Sequence, residues 1–280
     1  MHATWKKHTC TVRNASVAYW TRGTPSLSPV VYIHGFRGNH KGLMGIGRIM
    51  KQSYVIIPDL PGYGESAGWD TTHHTIAEYA KFLEEFCETI GLKKYNVVGH
   101  SFGATLAIVF AGLHGMHIKK LVLIAPVISQ SSIESLIGTI YYQFARILPA
   151  TIKRIYLVNQ LSDAGANIML LKSSSLYRKA EIIVDGLRNV PNLDERIIME
   201  NFVSLYTTDP FAIAKKICAT TKIIAGTKDK LSPKLSMEAL RIIIPHATCE
   251  YISNEGHIMP LEAPETLGRA IAAFIESSPA

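Results

Sequence analysis

The feature that most constrains the fold is a glycine-flanked serine between an apolar segment and a helix-forming segment. Tyr95–Val98 predicts a buried strand, and Gly99-His100-Ser101-Phe102-Gly103 follows it directly. A strand that turns straight into a helix needs a very tight turn, and glycines two before and two after the serine carry no Cβ to obstruct it. Such a turn holds the serine in a strained backbone conformation with its Oγ above the sheet edge. The pattern therefore predicts a candidate nucleophile at Ser101.

Short apolar runs alternate with helix-like segments through the first half of the chain. Val30–Ile33 and Val55–Pro58 have no polar face, which is typical of strands buried in a parallel sheet. Thr71–Leu92 has apolar residues at helical spacing. Ser101–Leu113 then predicts a helix and Lys119–Pro126 a strand. This alternation predicts an α/β fold with a mostly parallel sheet of about eight strands and helices on both faces.

Further elements are predicted before and after this region. A hairpin is expected from Thr9–Arg13 and Ser16–Thr21, because both are strand-like and Arg13-Asn14-Ala15 lies between them. Near the end of the chain, strands over 222–226 and 249–252 are each followed by a helix, over 233–244 and Pro264–Glu276.

Residues 128–210 interrupt the alternation, since they contain no convincing strand. Loops between strands and helices usually run two to six residues, so this stretch is too long to be a connection. Four helices are predicted in it: Ile133–Leu148, Ile152–Leu161, Leu170–Val184 and Arg196–Tyr206. We therefore expect a core made of residues 1–127 and 211–280, with a helical cap (lid) inserted at residues 128–210.

Two polar residues follow predicted strands in the second half of the chain. Asp229 follows strand 222–226, and His257 follows strand 249–252. The carboxyl ends of parallel strands meet at one edge of a sheet, so both are expected near Ser101. His257 could then take the proton of Ser101 while Asp229 orients the imidazole. The alternative for Asp229 is an ordinary aspartate at the start of the helix that Pro233 opens.

A glycine-flanked turn follows the Val30–Ile33 strand, with the sequence His34-Gly35-Phe36-Arg37-Gly38. Such a turn can aim a backbone N–H at an oxyanion, and we assign the two donors to the amides of Phe36 and Phe102. His34 is expected to hydrogen-bond its own loop. Arg37 could meet an anionic substrate, but we expect it to point to solvent.

Other polar residues are expected to be structural. Asp59 opens the loop Asp59-Leu60-Pro61-Gly62-Tyr63-Gly64-Glu65-Ser66, which we interpret as a scaffold beside the site. His73 and His74 are expected in the first turn of the following helix. Neither an HxHxDH nor an HExxH motif is present, which disfavours a metal-dependent hydrolase. We therefore expect neither a metal nor a cofactor.

Composition narrows the possible partners and compartment. The net charge of +7 comes from scattered lysine pairs without an arginine-rich run, so nucleic-acid binding is not expected. The longest apolar run, Leu121–Ile128, is too short to cross a bilayer, and the N-terminus lacks the apolar segment of a signal peptide. Four widely spaced cysteines without a CxxC motif favour a reduced, cytoplasmic protein. The oligomeric state is left open.

Four motifs in this order, HGFRG, DLPGYGES, GHSFG and the late GTKDKLSP…NEGH pair, resemble the α/β-hydrolase superfamily. The resemblance is to its cap-bearing branch of small esterases, C–C bond hydrolases, haloperoxidases and lactonases. It implies that Ser101 is the nucleophile, Asp229 the acid and His257 the base, with oxyanion amides from Phe36 and Phe102. Haloalkane dehalogenases and epoxide hydrolases of similar shape carry an aspartate at the serine position, so the resemblance argues against both.

Together these observations predict a cofactor-free serine hydrolase that cleaves a small-to-medium carboxylic ester, in the manner of a carboxylesterase. Its partner would be a small-molecule acyl substrate. A lactonase or a C–C bond hydrolase would use the same triad on a different bond. A non-catalytic ligand-binding protein on this fold is the alternative from another class, because a fold alone does not fix a function.

Overall fold

A single sheet organises the chain. The computed structural model describes residues 4–128 and 194–277. Within them, eight strands lie in the order β1-β2-β4-β3-β5-β6-β7-β8. β1 and β2 pair antiparallel, as do β2 and β4, and every later neighbouring pair is parallel. The strands are β1 (Lys6–Val12), β2 (Ala15–Arg22), β3 (Ser28–Ile33), β4 (Ser53–Pro58), β5 (Tyr95–His100), β6 (Ile118–Ile124), β7 (Thr220–Gly226) and β8 (Thr248–Ile252). The predicted mostly parallel sheet is confirmed.

Helices cover both faces of this sheet. They are α1 (Lys41–Gly47), α2 (Ile76–Thr89), α3 (Phe102–His114), α4 (Glu195–Thr207), α5 (Pro210–Ala214), α6 (Lys234–Ile243), α7 (Met259–Glu262) and α8 (Pro264–Ile275). Side chains alternate between the faces of a strand, so β3 sends Val31 and Ile33 into one apolar cluster and Val30 and Tyr32 into another. The first cluster includes side chains of α2, α3 and α6, and the second includes those of α1, α7 and α8.

The helix predicted over Thr71–Leu92 is shorter than expected at its start. α2 begins after Thr75, whose side chain accepts a hydrogen bond from the N–H of Glu78 at 3.2 Å. This threonine and the glutamate three residues later match a capping box. His73 and His74 therefore precede the helix, and placing them in its first turn was wrong. At the other end, Gly91 has a φ of 77°, a left-handed conformation that closes the helix.

Two other helices, α4 and α1, differ in whether the sequence predicted them. The helix predicted over Arg196–Tyr206 is confirmed as α4. The other three helices predicted for the cap lie outside the described residues. No helix was predicted at α1, because its sequence KGLMGIG is rich in glycine, a poor helix former. Its buried residues Leu43 and Ile46 pack into the core, which compensates for the low propensity.

The turn at Ser101 depends on two glycines, and this gives a first prediction. A Cβ at Gly99 would lie 2.3 Å from the carbonyl oxygen of Gly103, which is far inside contact distance. Gly99→Ala should lower the free energy of unfolding by about 1–3 kcal/mol, measured by urea denaturation. Gly42→Ala is the matched control, since its added Cβ would meet nothing within 4 Å. An equal loss of stability in both variants would contradict the packing described here.

Candidate active site

Ser101 sits at the sharp turn between β5 and α3. Its φ of 56° and ψ of −120° lie outside the regions that side-chain-bearing residues ordinarily adopt. Its N–H donates to the carbonyl of Ile124 at 2.9 Å, and its carbonyl accepts from the N–H of Ala104 and of Thr105 as α3 begins. The strained turn predicted from the GHSFG motif is therefore present and is held from both sides.

The structure brings the three predicted catalytic side chains together. The Nε2 of His257 lies 2.8 Å from the Oγ of Ser101, and its Nδ1 lies 2.9 Å from Oδ2 of Asp229. The Asp229 side chain is fully buried and that of His257 is 5% exposed. A hydrogen-bonded chain thus runs from a hydroxyl through an imidazole to a carboxylate in a site largely shielded from water.

Backbone groups fix the other oxygen of Asp229. Its Oδ1 accepts from the N–H of Leu231 at 2.9 Å and of Ser232 at 3.0 Å. Burial raises the pKa of this carboxyl, but the hydrogen bond and charge of His257 and the two amides outweigh it, so the pKa lies below its ordinary value. The alternative for Asp229 was an ordinary aspartate at the start of a helix. Its Oδ1 does bond two amides in the turn before α6, but Pro233 is the residue that directly precedes the helix.

The loops that carry Asp229 and His257 are joined to each other. The N–H of Thr227 donates to the carbonyl of Ile252, and the N–H of Lys228 donates to that of Glu255, both at 3.0 Å. A Cβ at Gly226 would lie 2.2 Å from the carbonyl oxygen of Glu255, so only glycine permits this approach. These contacts set the separation between the carboxylate and the imidazole.

His100 is a functional candidate that the sequence analysis did not identify. Its Nε2 lies 2.9 Å from the carbonyl oxygen of His257. Burial and, to a lesser extent, the neighbouring His257 lower the pKa of His100 to about 3, so the ring is neutral. A carbonyl only accepts, so Nε2 carries the proton and donates. His100 therefore holds the His257 backbone, and its one sequence signal is its place beside the serine.

The turn after β3 lies against the serine. A Cβ at Gly35 would be 3.3 Å from the Cβ of Ser101. The rings of Phe36 and Phe102 are 6.3 Å apart, which places both residues beside this turn. Phe102 is the first residue of α3, where backbone N–H groups have no partner within the helix. The two amides assigned as oxyanion donors are therefore on the two segments that flank Ser101.

His34 and Arg37 lie in the same turn, and the structure agrees with the prediction for His34 but not with that for Arg37. The Nδ1 of His34 lies 2.9 Å from the carbonyl oxygen of Gly35, and its Nε2 accepts from the N–H of Leu60 at 3.0 Å. It is thus the loop-bonding histidine that was expected. Arg37 was expected to point to solvent, but its Nε is buried. Burial raises the pKa of Tyr63, and the positive charge of Arg37 offsets part of this rise.

Asp59 is fully buried, and its carboxylate bonds residues other than those of the triad. Its carboxylate accepts from the N–H of His40 at 2.7 Å and of Glu65 at 2.9 Å, and it contacts Nδ1 of His40 at 3.0 Å. The indole of Trp20 stacks on the His40 ring. These contacts hold the loop after β4 against α1, in agreement with the scaffold role expected for Asp59.

His73 and His74 join the loop before α2 to α4. Nδ1 of His73 lies 2.8 Å from one carboxylate oxygen of Glu200, and the N–H of His74 donates to the other at 2.7 Å. Nε2 of His74 accepts from the N–H of Trp69. Across residues 4–128 and 194–277, no group of three or more potential metal-binding side chains occurs.

A family profile with the description alpha/beta hydrolase fold matches residues 28–264. The chain belongs to this family. Among similar proteins of this family, monoacylglycerol lipase abhd6-B of Xenopus laevis is 27% identical, over 94% of this chain and 80% of its own. Lipase 3 of Moraxella sp. (strain TA144) is 26% identical, over 88% of this chain and 76% of its own.

Solved structures of this alpha/beta hydrolase family agree with the fold. The enol-lactonase from Burkholderia xenovorans LB400 superposes with a TM-score of 0.82 at 16% identity, covering 96% of this chain and 100% of that one. The resemblance predicted from the four motifs is thereby confirmed at the level of family and fold.

Two observations concern the environment of the chain. None of the helices in the described ranges has the length and apolar character needed to cross a bilayer. Cys10, Cys87, Cys218 and Cys249 are all free thiols.

Proposed function

We propose that this alpha/beta hydrolase cleaves carboxylic esters through an acyl-enzyme formed on Ser101. The observation that carries the proposal is the continuous hydrogen-bonded chain from Ser101 Oγ through His257 to Asp229. A serine hydroxyl is a weak nucleophile, and a base within hydrogen-bond reach that is itself oriented by a third group is the arrangement that activates it.

The proposed reaction has two halves. Oγ of Ser101 attacks the ester carbonyl carbon while Nε2 of His257 takes the hydroxyl proton. The C–O bond of the ester then breaks, and His257 returns the proton to the departing alkoxide, which leaves as the alcohol. Water next attacks the acyl-enzyme, giving its proton to His257. Collapse of that intermediate releases the carboxylic acid and returns the proton to Ser101.

The role of Asp229 follows from its charge and position. With the carboxylate ionised, Nδ1 of His257 is held protonated, so Nε2 is free to accept the proton of Ser101. The same charge stabilises the imidazolium that forms. The amides of Phe36 and Phe102 are the proposed donors to the developing oxyanion, because preformed N–H groups stabilise that charge without reorganising.

Ester cleavage is the favoured reaction because the curated relatives named above are a monoacylglycerol lipase and a lipase. We assign residues 128–210 as the cap that controls which acyl groups reach Ser101. α4, within that range, contacts the loop after β4 through Glu200 and Arg196, whose guanidinium donates to the carbonyl of Trp69. This contact would anchor the cap beside the site.

The test is a panel of p-nitrophenyl esters of increasing acyl length, assayed with lactones, amides and a C–C substrate alongside. We expect turnover of the esters with an optimum at short or medium chains, and no turnover of the amides. Turnover confined to a lactone or to the C–C substrate would replace the ester proposal with one of those activities. No turnover of any substrate, combined with saturable ligand binding, would favour the non-catalytic alternative.

A further inference from the structure

The loop that carries Asp229 also presents an unusual surface. We call it the basic–apolar loop. It consists of exposed side chains from Lys228, in the loop after β7, to Leu235, in the first turn of α6. Leu235 is 76% exposed and Leu231 is 46% exposed, although large apolar side chains are ordinarily buried. The members are Lys228, Lys230, Leu231, Lys234 and Leu235, all exposed. The acidic side chain within the segment, Asp229, is buried in the candidate active site.

This surface lies at the active-site edge of the sheet. β7 ends at Gly226, and the loop follows it directly, so its exposed residues are within a few positions of Asp229. The buried hydroxyl of Ser232 donates to the carbonyl of Pro126 at 3.0 Å, which fixes the loop to the segment after β6. Leu231 and Leu235 are therefore displayed from a rigid support next to the triad.

The charges around the loop leave it basic. On α6, Glu238 accepts from the guanidinium of Arg241 at 2.7 Å, so that carboxylate is already paired. The ammonium of Lys234 lies 5.2 Å from the ring centre of Tyr251. Glu255, in the segment after β8, accepts the N–H of Lys228 with its backbone carbonyl, and burial raises the pKa of its carboxyl. The three exposed lysines of the loop thus outnumber the two neighbouring carboxylates, Glu238 and Glu255, and Glu238 is shared between Lys234 and Arg241.

We propose that the basic–apolar loop docks this protein on the surface of an anionic lipid bilayer. Exposed leucines can insert at the boundary between headgroups and acyl chains, while lysines beside them are attracted to anionic headgroups. Charge complementarity favours this occupant over a second copy of the chain, because two such loops would repel each other. Docking in this orientation would turn the edge of the sheet that carries Ser101 and Asp229 towards the lipid.

Vesicle flotation of the Ser101→Ala protein tests this, because that variant leaves the lipid uncleaved. The vesicles are phosphatidylcholine alone or an equal mixture of phosphatidylcholine and phosphatidylglycerol. We expect binding to the anionic mixture and little to phosphatidylcholine. Leu235→Ser should lower the partition coefficient about tenfold. Lys228→Gln with Lys230→Gln should lower it about 25-fold, at roughly fivefold per lysine.

Matched controls come from the far end of the same region. Ile242, at the other end of α6, is 73% exposed, so Ile242→Ser removes an equally exposed apolar side chain. Lys215→Gln with Lys216→Gln removes two exposed lysines that precede β7. Both controls should bind like the parent protein.

Three results would overturn the proposal. The first is equal binding to both vesicle types, or binding to neither. The second is a fall in the partition coefficient of the control variants as large as that of the loop variants. The third is a concentration-dependent dimer, seen by light scattering, that Leu235→Ser abolishes. The last would assign the surface to a second copy of the chain. Because binding is measured without catalysis, failure here leaves the proposed ester hydrolysis untouched.

Discussion

Asp229→Asn is expected to reduce kcat/KM for an ester by about 10⁴-fold while the protein stays folded. The amides of Leu231 and Ser232 both donate to Oδ1. The oxygen of an asparagine must stay there to accept these bonds, which turns its NH₂ toward Nδ1 of His257. Nδ1 then has to accept, so the proton moves to Nε2. An Nε2 that carries a proton cannot take one from Ser101.

Asp59→Asn is the matched control for this prediction. Asp59 is also a fully buried carboxylate in contact with Nδ1 of a histidine, His40. We expect this variant to melt at a lower temperature but to keep kcat/KM within about tenfold, because a structural substitution away from the triad changes stability and not the chemical step. Near-normal turnover in Asp229→Asn, or equal losses in both variants, would place the catalytic acid elsewhere.

Ser101→Ala is expected to lower kcat by about 10⁶-fold, the scale that loss of a nucleophile produces in serine hydrolases. Oγ of Ser101 is the atom that Nε2 of His257 contacts, and the substitution by alanine removes it with little change in side-chain volume. Stopped assays at high enzyme concentration, after removal of trace contaminating esterase, would measure the residual rate.

A second serine separates loss of chemistry from loss of structure. Ser66 is buried, and its hydroxyl donates to the carbonyl of Asp59 at 2.7 Å. Ser66→Ala should therefore lose stability without losing more than a small part of its activity. Activity in Ser101→Ala comparable to that of Ser66→Ala would refute the assignment of Ser101.

The parts of the site that could be predicted from sequence are those fixed by local pattern and topology. An apolar strand followed by glycines around a serine has few alternatives, and the strained turn at Ser101 follows from it. Asp229 and His257 could be assigned because each follows a parallel strand, and parallel strands end at a common edge. Here the local sequence and the global fold point to the same arrangement.

The parts that could not be predicted depend on contacts between distant segments. The bond from His100 to the carbonyl of His257 and the one from His74 to Glu200 join positions that no local pattern relates. α1 was not predicted because its glycines give it a low helix propensity, and the packing of its buried residues is what stabilises it. The boundaries of the cap at residues 128–210 stay a prediction, since of its four predicted helices only α4 lies among the described residues.

The central claim is that Ser101 is a nucleophile activated by His257, and covalent labelling tests it most directly. A fluorophosphonate reacts with an activated serine, which displaces fluoride and leaves a phosphonyl group on Oγ. Peptide mapping by mass spectrometry should place the adduct on Ser101, with no labelling of Ser101→Ala and much slower labelling of Asp229→Asn. An adduct on a different residue, or undiminished labelling of Ser101→Ala, would contradict the account.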